Sequence, residues 1–394
     1  MTTVTEVVVH ANNVDEVTKN QIEDIGNHPA VDGLVAIMPD CHAGAGCVIG
    51  FTGRFKNAVI PNVVGVDIGC GVMTALVEGV QVKDADFPGL DRFIRRRVPL
   101  GKTRHKDPGA LQVFRRKHPE RYRKMMDLAE RADREFFGRL FKKDAKHPTW
   151  MQLGTLGGGN HFIEVDEDPE TKELYVTVHT GSRHFGFQVA NHFQAMARQY
   201  IKKKGAGNIG RGLEYLPMSE GGKEYMKWLR IAQGYAEHNR FVILDQVLEF
   251  YGQAADQRHL IQSVHNYISD KDGIARKGAI SAYAGEQVVI PLNMAAGVIL
   301  GTGKGNRRYN FSAPHGAGRV FGRREMKRRL KTGQFSMEEF KKNMEGVYST
   351  SISKDTIDES PMAYKRWEDI RREMEETVTV EKLLKPVYNL KAPE

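Results

Sequence analysis

Five short stretches carry a side chain that can bind metal or phosphate, four of them among glycines: 65–71 (GVDIGCG), 156–164 (LGGGNHFIE), 178–183 (VHTGSR) and 312–319 (SAPHGAGR), with 263–266 (SVHN) the fifth. Asp67 and Cys70 are three residues apart in a turn that its glycines can bend, so the carboxylate and the thiolate can face one ion. A thiolate, a carboxylate and imidazoles together suit a divalent transition ion such as Zn²⁺ or Mn²⁺. A thiolate can also bridge two ions, and a two-ion centre suits phosphoryl transfer. Taken singly, each histidine is more often structural than a ligand, and spacing alone does not bring the five stretches together in space.

The common phosphate cradles are missing. Gly101-Lys102-Thr103 has Arg96 where the leading glycine of a P-loop belongs, and Gly303-Lys304-Gly305 lacks the following Ser/Thr. Residues 205–210 match GxGxxG but follow a basic helix rather than a strand, which argues against a dinucleotide fold. HExxH, CxxC and GxSxG do not occur.

The elements that must position these groups belong to a 394-residue chain with 40% hydrophobic and 27% charged residues, a globular composition. No apolar run is long enough to span a bilayer. No secretory signal opens the chain, and the three cysteines (Cys41, Cys47, Cys70) are too few for a disulfide framework, so a cytoplasmic location is expected. The net charge of +9 is uneven: residues 91–148 hold 19 Lys+Arg against 8 Asp+Glu, and the rest nearly balances. A second basic run covers 319–331. Such fields attract polyanions, phosphate backbones above all, although a charge run is also how a solvated helix face reads.

Periodicity predicts strands at 31–38, 58–66, 174–178, 287–290, 296–300 and 378–384. It predicts helices at 119–142, 184–203, 222–250, 340–347 and 362–376, with 202–222 as a surface loop. With no regular βαβ alternation, no repeat and no linker, the expected class is α+β, one large domain over 1–394 with mixed sheets flanked by helices and a basic helical segment at about 91–148.

In this order and combination the stretches resemble the RtcB-type RNA ligases, GTP- and manganese-dependent enzymes of tRNA splicing and RNA repair. The likeness runs from residues 38–42 (MPDCH) through 236–240 (AEHNR), 304–306 (KGN) and 358–365 (DESPMAYK) to 387–391. The resemblance implies two Mn²⁺ ions on Asp67, Cys70, His161, His179 and His265, with Cys70 bridging. It implies His315 as the nucleophile that takes GMP from GTP. Asn160 and Met294 would line the nucleotide site, Glu164, Tyr364 and Lys391 would hold the guanine, and Arg183 and Arg319 would grip RNA phosphates. The reaction implied joins a 3′-phosphate or 2′,3′-cyclic-phosphate RNA end to a 5′-hydroxyl end, with an archease-type protein as a possible activator and no membrane partner.

Three positions depart from the family pattern. Leu292-Asn293-Met294 stands where a Gly-Ser-Met turn is common, His184 follows Arg183 where a smaller residue is usual, and Ala392-Pro393-Glu394 follow the terminal lysine. The altered Leu292–Met294 turn keeps open a manganese-dependent RNA-end phosphodiesterase or phosphatase that does not ligate. Asp40 and His42 match a family block and read as supporting groups of the site.

Overall fold

The computed structural model describes residues 5–12, 14–142, 146–205 and 209–393. Residues 206–208 of the GxGxxG match therefore lie outside the described residues. The architecture is α+β, built on two mainly antiparallel sheets.

The larger sheet has seven strands, in the order Gln287–Pro291, Val298–Gly303, Val378–Lys391, Phe162–Glu167, Leu174–Thr180, Gly71–Val77 and Leu260–Val264. Its strands are rich in Val, Ile, Leu and Thr, which fit a pleated surface covered on its faces. The 29-residue helix Gly222–Phe250 lies across Gly71–Val77 and Leu174–Thr180 and buries a nearly continuous apolar run, residues 241–248, interrupted by Asp245 and Gln246. The second sheet orders Glu6–Val9, Val31–His42, Ile49–Phe55, Ala275–Lys277 and Asn266–Ile268, with Glu6–Val9 running parallel to Val31–His42.

Register decides where the chemistry falls. Phe162 and Val72 both pair with His179, Gly71 pairs with Thr180 and Val264, and Lys391 pairs with Phe162. Cys70, His161, His179, His265 and Lys391 thus collect at one edge of five adjacent strands. His265 is also the single residue between Leu260–Val264 of one sheet and Asn266–Ile268 of the other. Its N–H donates to Cys70 O at 2.9 Å, and its carbonyl accepts from Gly278 N at 2.7 Å.

Several expected elements change. The strand at 58–66 is only Ala58–Val59, because Pro61 starts a helical turn, Pro61–Val64, in the first position where proline fits. The helix at 119–142 is α-helical over Pro119–Arg131 and then widens into π-helical turns over Ala132–Leu140. The helix near 340–347 is Met337–Asn343, fixed early by a Ser336/Glu339 capping box. Residues 362–366 are a short 3₁₀ turn and an extended segment, and the helix is Trp367–Glu375. The strand at 378–384 runs on to Lys391: Pro386, which cannot donate to a ladder, sits at a register shift where the strand changes partner. Among the described residues no helix is long and apolar enough to cross a membrane.

The loops feeding that common edge are tied down from beneath by two side chains of the long helix. Asn239 Nδ2 donates to Thr155 O and Gly181 O, each at 3.1 Å, and its Oδ1 accepts from Thr155 N at 3.1 Å. Arg240 Nη1 donates to Gly69 O at 2.6 Å and Thr180 O at 3.0 Å, while Nε and Nη2 reach Gln262 Oε1. Both side chains are fully buried. Truncating either strands several polar groups, so Asn239→Ala is expected to lower stability by about 2–4 kcal/mol in urea unfolding. A loss below about 0.5 kcal/mol, the size of a neutral surface change, would show that these bonds do not hold the loops.

Candidate metal and nucleotide site

Asp67 and Cys70 sit in the turn before strand Gly71–Val77, closed by Cys70 N–H donating to Asp67 O at 3.2 Å. His161 Nδ1 meets Leu156 O at 2.9 Å, and His179 Nδ1 meets Asn160 O at 3.1 Å. Donation from Nδ1 to those carbonyls leaves each Nε2 as the free ligand nitrogen. His161 Nε2 lies 2.8 Å from Asp67 Oδ2 and 3.5 Å from Cys70 Sγ. His179 Nε2 lies 3.3 Å from both Cys70 Sγ and His265 Nε2.

The result is two ligand sets that share a sulfur: Asp67, Cys70 and His161, and Cys70, His179 and His265, each with its ligand atoms within 4.8 Å of one another. One hard carboxylate, one soft thiolate and three imidazoles fit divalent transition ions, and the shared Sγ fits a bridge between two of them. Burial, with the nearby charges of other histidines and of Lys391 or Arg240, holds His179 and His265 well below the usual imidazole range, so both stay neutral as ligands must. Burial works to raise Asp67, but the hydrogen bond and charge of His161 and the charge of Arg183 outweigh it and bring the carboxyl down to about 2. Burial and the Asp67 charge push the Cys70 thiol up, with the Arg240 cation opposing. A bound cation is what makes such a thiol a thiolate.

Two glycines make this packing possible. A Cβ on Gly181 would fall 2.2 Å from Asp67 Oδ1, and one on Gly157 would fall 2.2 Å from the Arg183 guanidinium nitrogens. Arg183 itself has φ 55°, a left-handed conformation that costs a non-glycine residue about 1–2 kcal/mol. The bend turns its side chain inward, where Nη1 comes within 3.2 Å of His161 Nδ1.

A cavity of about 360 Å³ opens beside the ligand sets. Asp67, Cys70, His179 and His265 reach its wall, together with Asn160, Glu164, Met294, His315, Arg319, Tyr364 and Lys391; His161 and Arg183 lie behind it. The His315 ring centroid is 5.0 Å from that of His265. His315 Nδ1 lies 2.7 Å from Oδ2 of Asp40, a carboxylate with no exposed surface. The two atoms are at ion-pair distance without the angles of a hydrogen bond, so the carboxylate can stabilise positive charge on the ring, and Nε2 is the nitrogen it does not face. His42 lines the same wall, its Nδ1 3.2 Å from Asp40 O, and burial takes it down to about 4.

The far end of the cavity is built from strand Val378–Lys391 and residues 358–365. Tyr364 Oη donates to Glu359 Oε2 at 2.7 Å, and Lys391 Nζ donates to Glu359 Oε2 at 3.3 Å and to Asn160 O at 3.2 Å. Glu164 accepts from Asn389 Nδ2 and shares a buried strand face with Asp166, and burial pushes both carboxyls up. Met294 touches the cavity, but its side chain belongs to a core cluster with Phe340, Met344 and Ile357. Asn293 Oδ1 accepts from Ala295 N and Ala296 N, both at 3.0 Å, so its amide oxygen closes its own turn, while the residue also lines the cavity.

The two arginines expected to grip RNA phosphates sit in different surroundings. Arg183 sits against His161, whereas Arg319 Nη1 meets Glu359 Oε1 at 3.3 Å and Tyr364 Oη at 3.1 Å. Sequence reasoning assigns no role to Asn239, Arg240 or Glu359. The signal for the first two is present: an Asn-Arg pair at the start of an otherwise apolar helix face needs internal partners.

The family profile described as tRNA-splicing ligase RtcB matches residues 21–392. The chain is similar to RNA-splicing ligase RtcB of Escherichia coli K12, 29% identical over 402 aligned residues that cover 96% of this chain and 95% of the relative. It is also similar to the tRNA-splicing ligase RtcB of Methanococcus maripaludis, at 29% identity with 91% and 87% covered, and of Archaeoglobus fulgidus, at 29% identity with 89% and 85% covered.

The shared sulfur has a direct consequence. Titration with Mn²⁺ or Co²⁺ is expected to saturate with two ions per chain, and Co²⁺ loading to give a thiolate-to-metal absorption band. In Cys70→Ala the band should vanish and both sites weaken together, by about 10–100-fold or more. Loss of only one site would mean that Cys70 does not bridge.

Proposed function

The chain belongs to the RtcB family, and from that premise we propose that it is a GTP-dependent RNA ligase joining 3′-phosphate or 2′,3′-cyclic-phosphate ends to 5′-hydroxyl ends. The observation that carries this reading is His315, set against the Asp40 carboxylate, in a cavity whose wall includes members of two ligand sets that share a thiol. Asp67, Cys70, His161, His179 and His265 would hold two Mn²⁺ ions, which when bound neutralise charge developing on phosphate oxygens.

His315 Nε2 attacks the α-phosphorus of GTP; an N–P bond forms and the bond to pyrophosphate breaks. With Nδ1 against the Asp40 carboxylate, the ring carries the positive charge that develops as Nε2 bonds. A 2′,3′-cyclic end is first opened by water, which adds to phosphorus as the bond to the 2′-oxygen breaks. A 3′-phosphate oxygen of RNA then attacks the guanylate phosphorus and releases His315, leaving the RNA end activated by GMP. Finally the 5′-hydroxyl oxygen attacks the RNA phosphorus and GMP departs. Tyr364 and Lys391, with Glu164, hold the guanine, and Asn160 lines the phosphate region. Arg319 meets the RNA phosphate, and Arg183 supports His161 and Asp67 from behind. The whole chain acts as one ligase domain in the cytoplasm, and an archease-type protein is a candidate activator.

Residues 91–148 supply the RNA-docking surface in this reading. The structure narrows which cations are free to do so. Arg95 pairs with Asp91, Arg97 with Glu249, Lys117 with Asp245 and Glu249, and Arg121 with Glu237. Arg96, Arg116, Arg123 and Lys124 are exposed and make no ion pair among the described residues. Replacing these four by Gln should weaken RNA binding and flatten its salt dependence by up to about 0.7 for each phosphate no longer neutralised. An unchanged slope would leave the segment a solvated face.

Incubation with α-labelled GTP and Mn²⁺ tests the catalytic reading. Wild type should acquire a covalent guanylate and His315→Ala none. Asp40→Asn should slow labelling by at least about 10²-fold with little change in KM for GTP. RNA-end processing without any guanylate adduct would replace ligation by a phosphodiesterase or phosphatase activity.

A further inference from the structure

Glu359 is the most heavily engaged carboxylate of the cavity wall, and its two oxygens serve different neighbours. Oε2 accepts from Tyr364 Oη at 2.7 Å and from Lys391 Nζ at 3.3 Å. Oε1 faces Arg319 Nη1 at 3.3 Å and Arg323 Nη1 at 2.5 Å. A carboxylate has about four lone-pair sites, and these four donors fill them. The side chain is 2% exposed, so water does not substitute for any of them. Although burial acts to raise it, the charges of Lys391, Arg323 and Arg319 hold Glu359 down at about 2, so it is a fixed anion.

The arrangement is also rigid. Val320 N–H donates to Ala363 O at 2.8 Å and Lys365 N–H to Gly318 O at 3.0 Å, lacing the segment that carries Arg319 to the one that carries Tyr364. Asp358 holds the outer side, with Arg323 Nη1 at 2.9 Å from Oδ2 and Lys327 Nζ at 3.7 Å from Oδ1. Four cations (Arg319, Arg323, Lys327 and Lys391) therefore face two carboxylates (Asp358 and Glu359). The excess of two positive charges matches a phosphate dianion.

We propose that Glu359 is a positioning residue and the internal counter-anion of the phosphate-binding arginines: one oxygen presents Tyr364 and Lys391 to the nucleobase, and the other occupies Arg319 and Arg323 until an RNA phosphate competes for them. The inference rests on the ligase reading above. It assigns the base-holding and phosphate-holding groups a single shared partner, so removing the carboxylate acts on the two substrates with opposite sign. Lys391, buried and without its counter-charge, holds the base less well; the arginines, released, take phosphate more tightly. General damage to the wall would weaken both.

The test uses the full chain and two probes: GTP, and a short RNA with a 3′-phosphate and a blocked 5′ end. Glu359→Gln should raise KM for GTP in guanylate formation by about tenfold. It should tighten the RNA Kd by about three- to tenfold, with a salt slope steeper by about 0.7 as one more phosphate charge is engaged. Glu359→Asp keeps the anion but cannot span both pairs; it should raise KM for GTP and leave the RNA Kd near wild type, and it carries the test if the Gln variant melts early. RNA binding that weakens in Glu359→Gln, or a KM for GTP unchanged in both variants, overturns the proposal. Absence of a guanylate adduct on wild type would instead remove the ligase reading itself, and the RNA measurement would then decide the counter-anion role alone.

Discussion

The loops that present the metal-competent side chains depend on one buried guanidinium and the amide beside it. Arg240 joins Gly69 O and Thr180 O, the carbonyls beside Cys70 and His179, and its third side is held by Gln262 on the strand leading to His265. Asn239, next along the helix, does the same for Thr155 and Gly181. Loops that present ligands are otherwise the least stable part of a fold, because they lack ladders of their own. Here the helix supplies the missing ladder from below. The charge of the same cation opposes the burial that keeps a proton on Cys70. Mechanical and electrostatic support for the site come from one residue.

The charge layout follows a related logic. Near the ligand sets His179 and His265 are held neutral and the anions are few, which leaves the positive charge for ions to bring. At the far end the protein supplies the positive charge itself, on Arg319, Arg323 and Lys391, and restrains it with Glu359. Lys277 adds a buried cation in the cavity wall that is satisfied by the carbonyls of Ala45 and Asn62 rather than by a carboxylate. Across one cavity the sign of the field is set by different means at its two ends.

How much of this is legible in the sequence varies with the range of the interaction. The α+β class and the long helix at 222–250 follow from local periodicity, and the glycine-flanked ligand stretches are visible as composition. The strand ends that gather those stretches are not: of these, only Phe162–Glu167 and Leu174–Thr180 pair locally, and the register that adds Cys70 and His265 joins residues about 100–200 positions apart, as where Gly71 pairs with Thr180 and Val264. Lys385-Pro386 reads as a strand end, yet the chain runs on through a bulge to place Lys391 in the cavity. Resemblance assigns Met294 to the nucleotide, and the structure shows its side chain mostly spent on packing. Arg183 and Arg319 carry the same residue type but sit in unlike surroundings, one under a ligand histidine and one beside a carboxylate. Only tertiary contacts separate them.

His265 is the one residue between a strand of the seven-stranded sheet and a strand of the five-stranded sheet, and its ring meets the ring of His179 from the other side of the join. An ion gripped by Cys70, His179 and His265 would therefore be a rivet through the seam, and its affinity would include the free energy of holding the two sheets at a fixed angle. Stiffness at that seam and tightness of the grip become two readings of one spring constant. Loosening the smaller sheet anywhere along Val31–His42 or Ile49–Phe55 would then be felt as a weaker grip, without a change in any ligand.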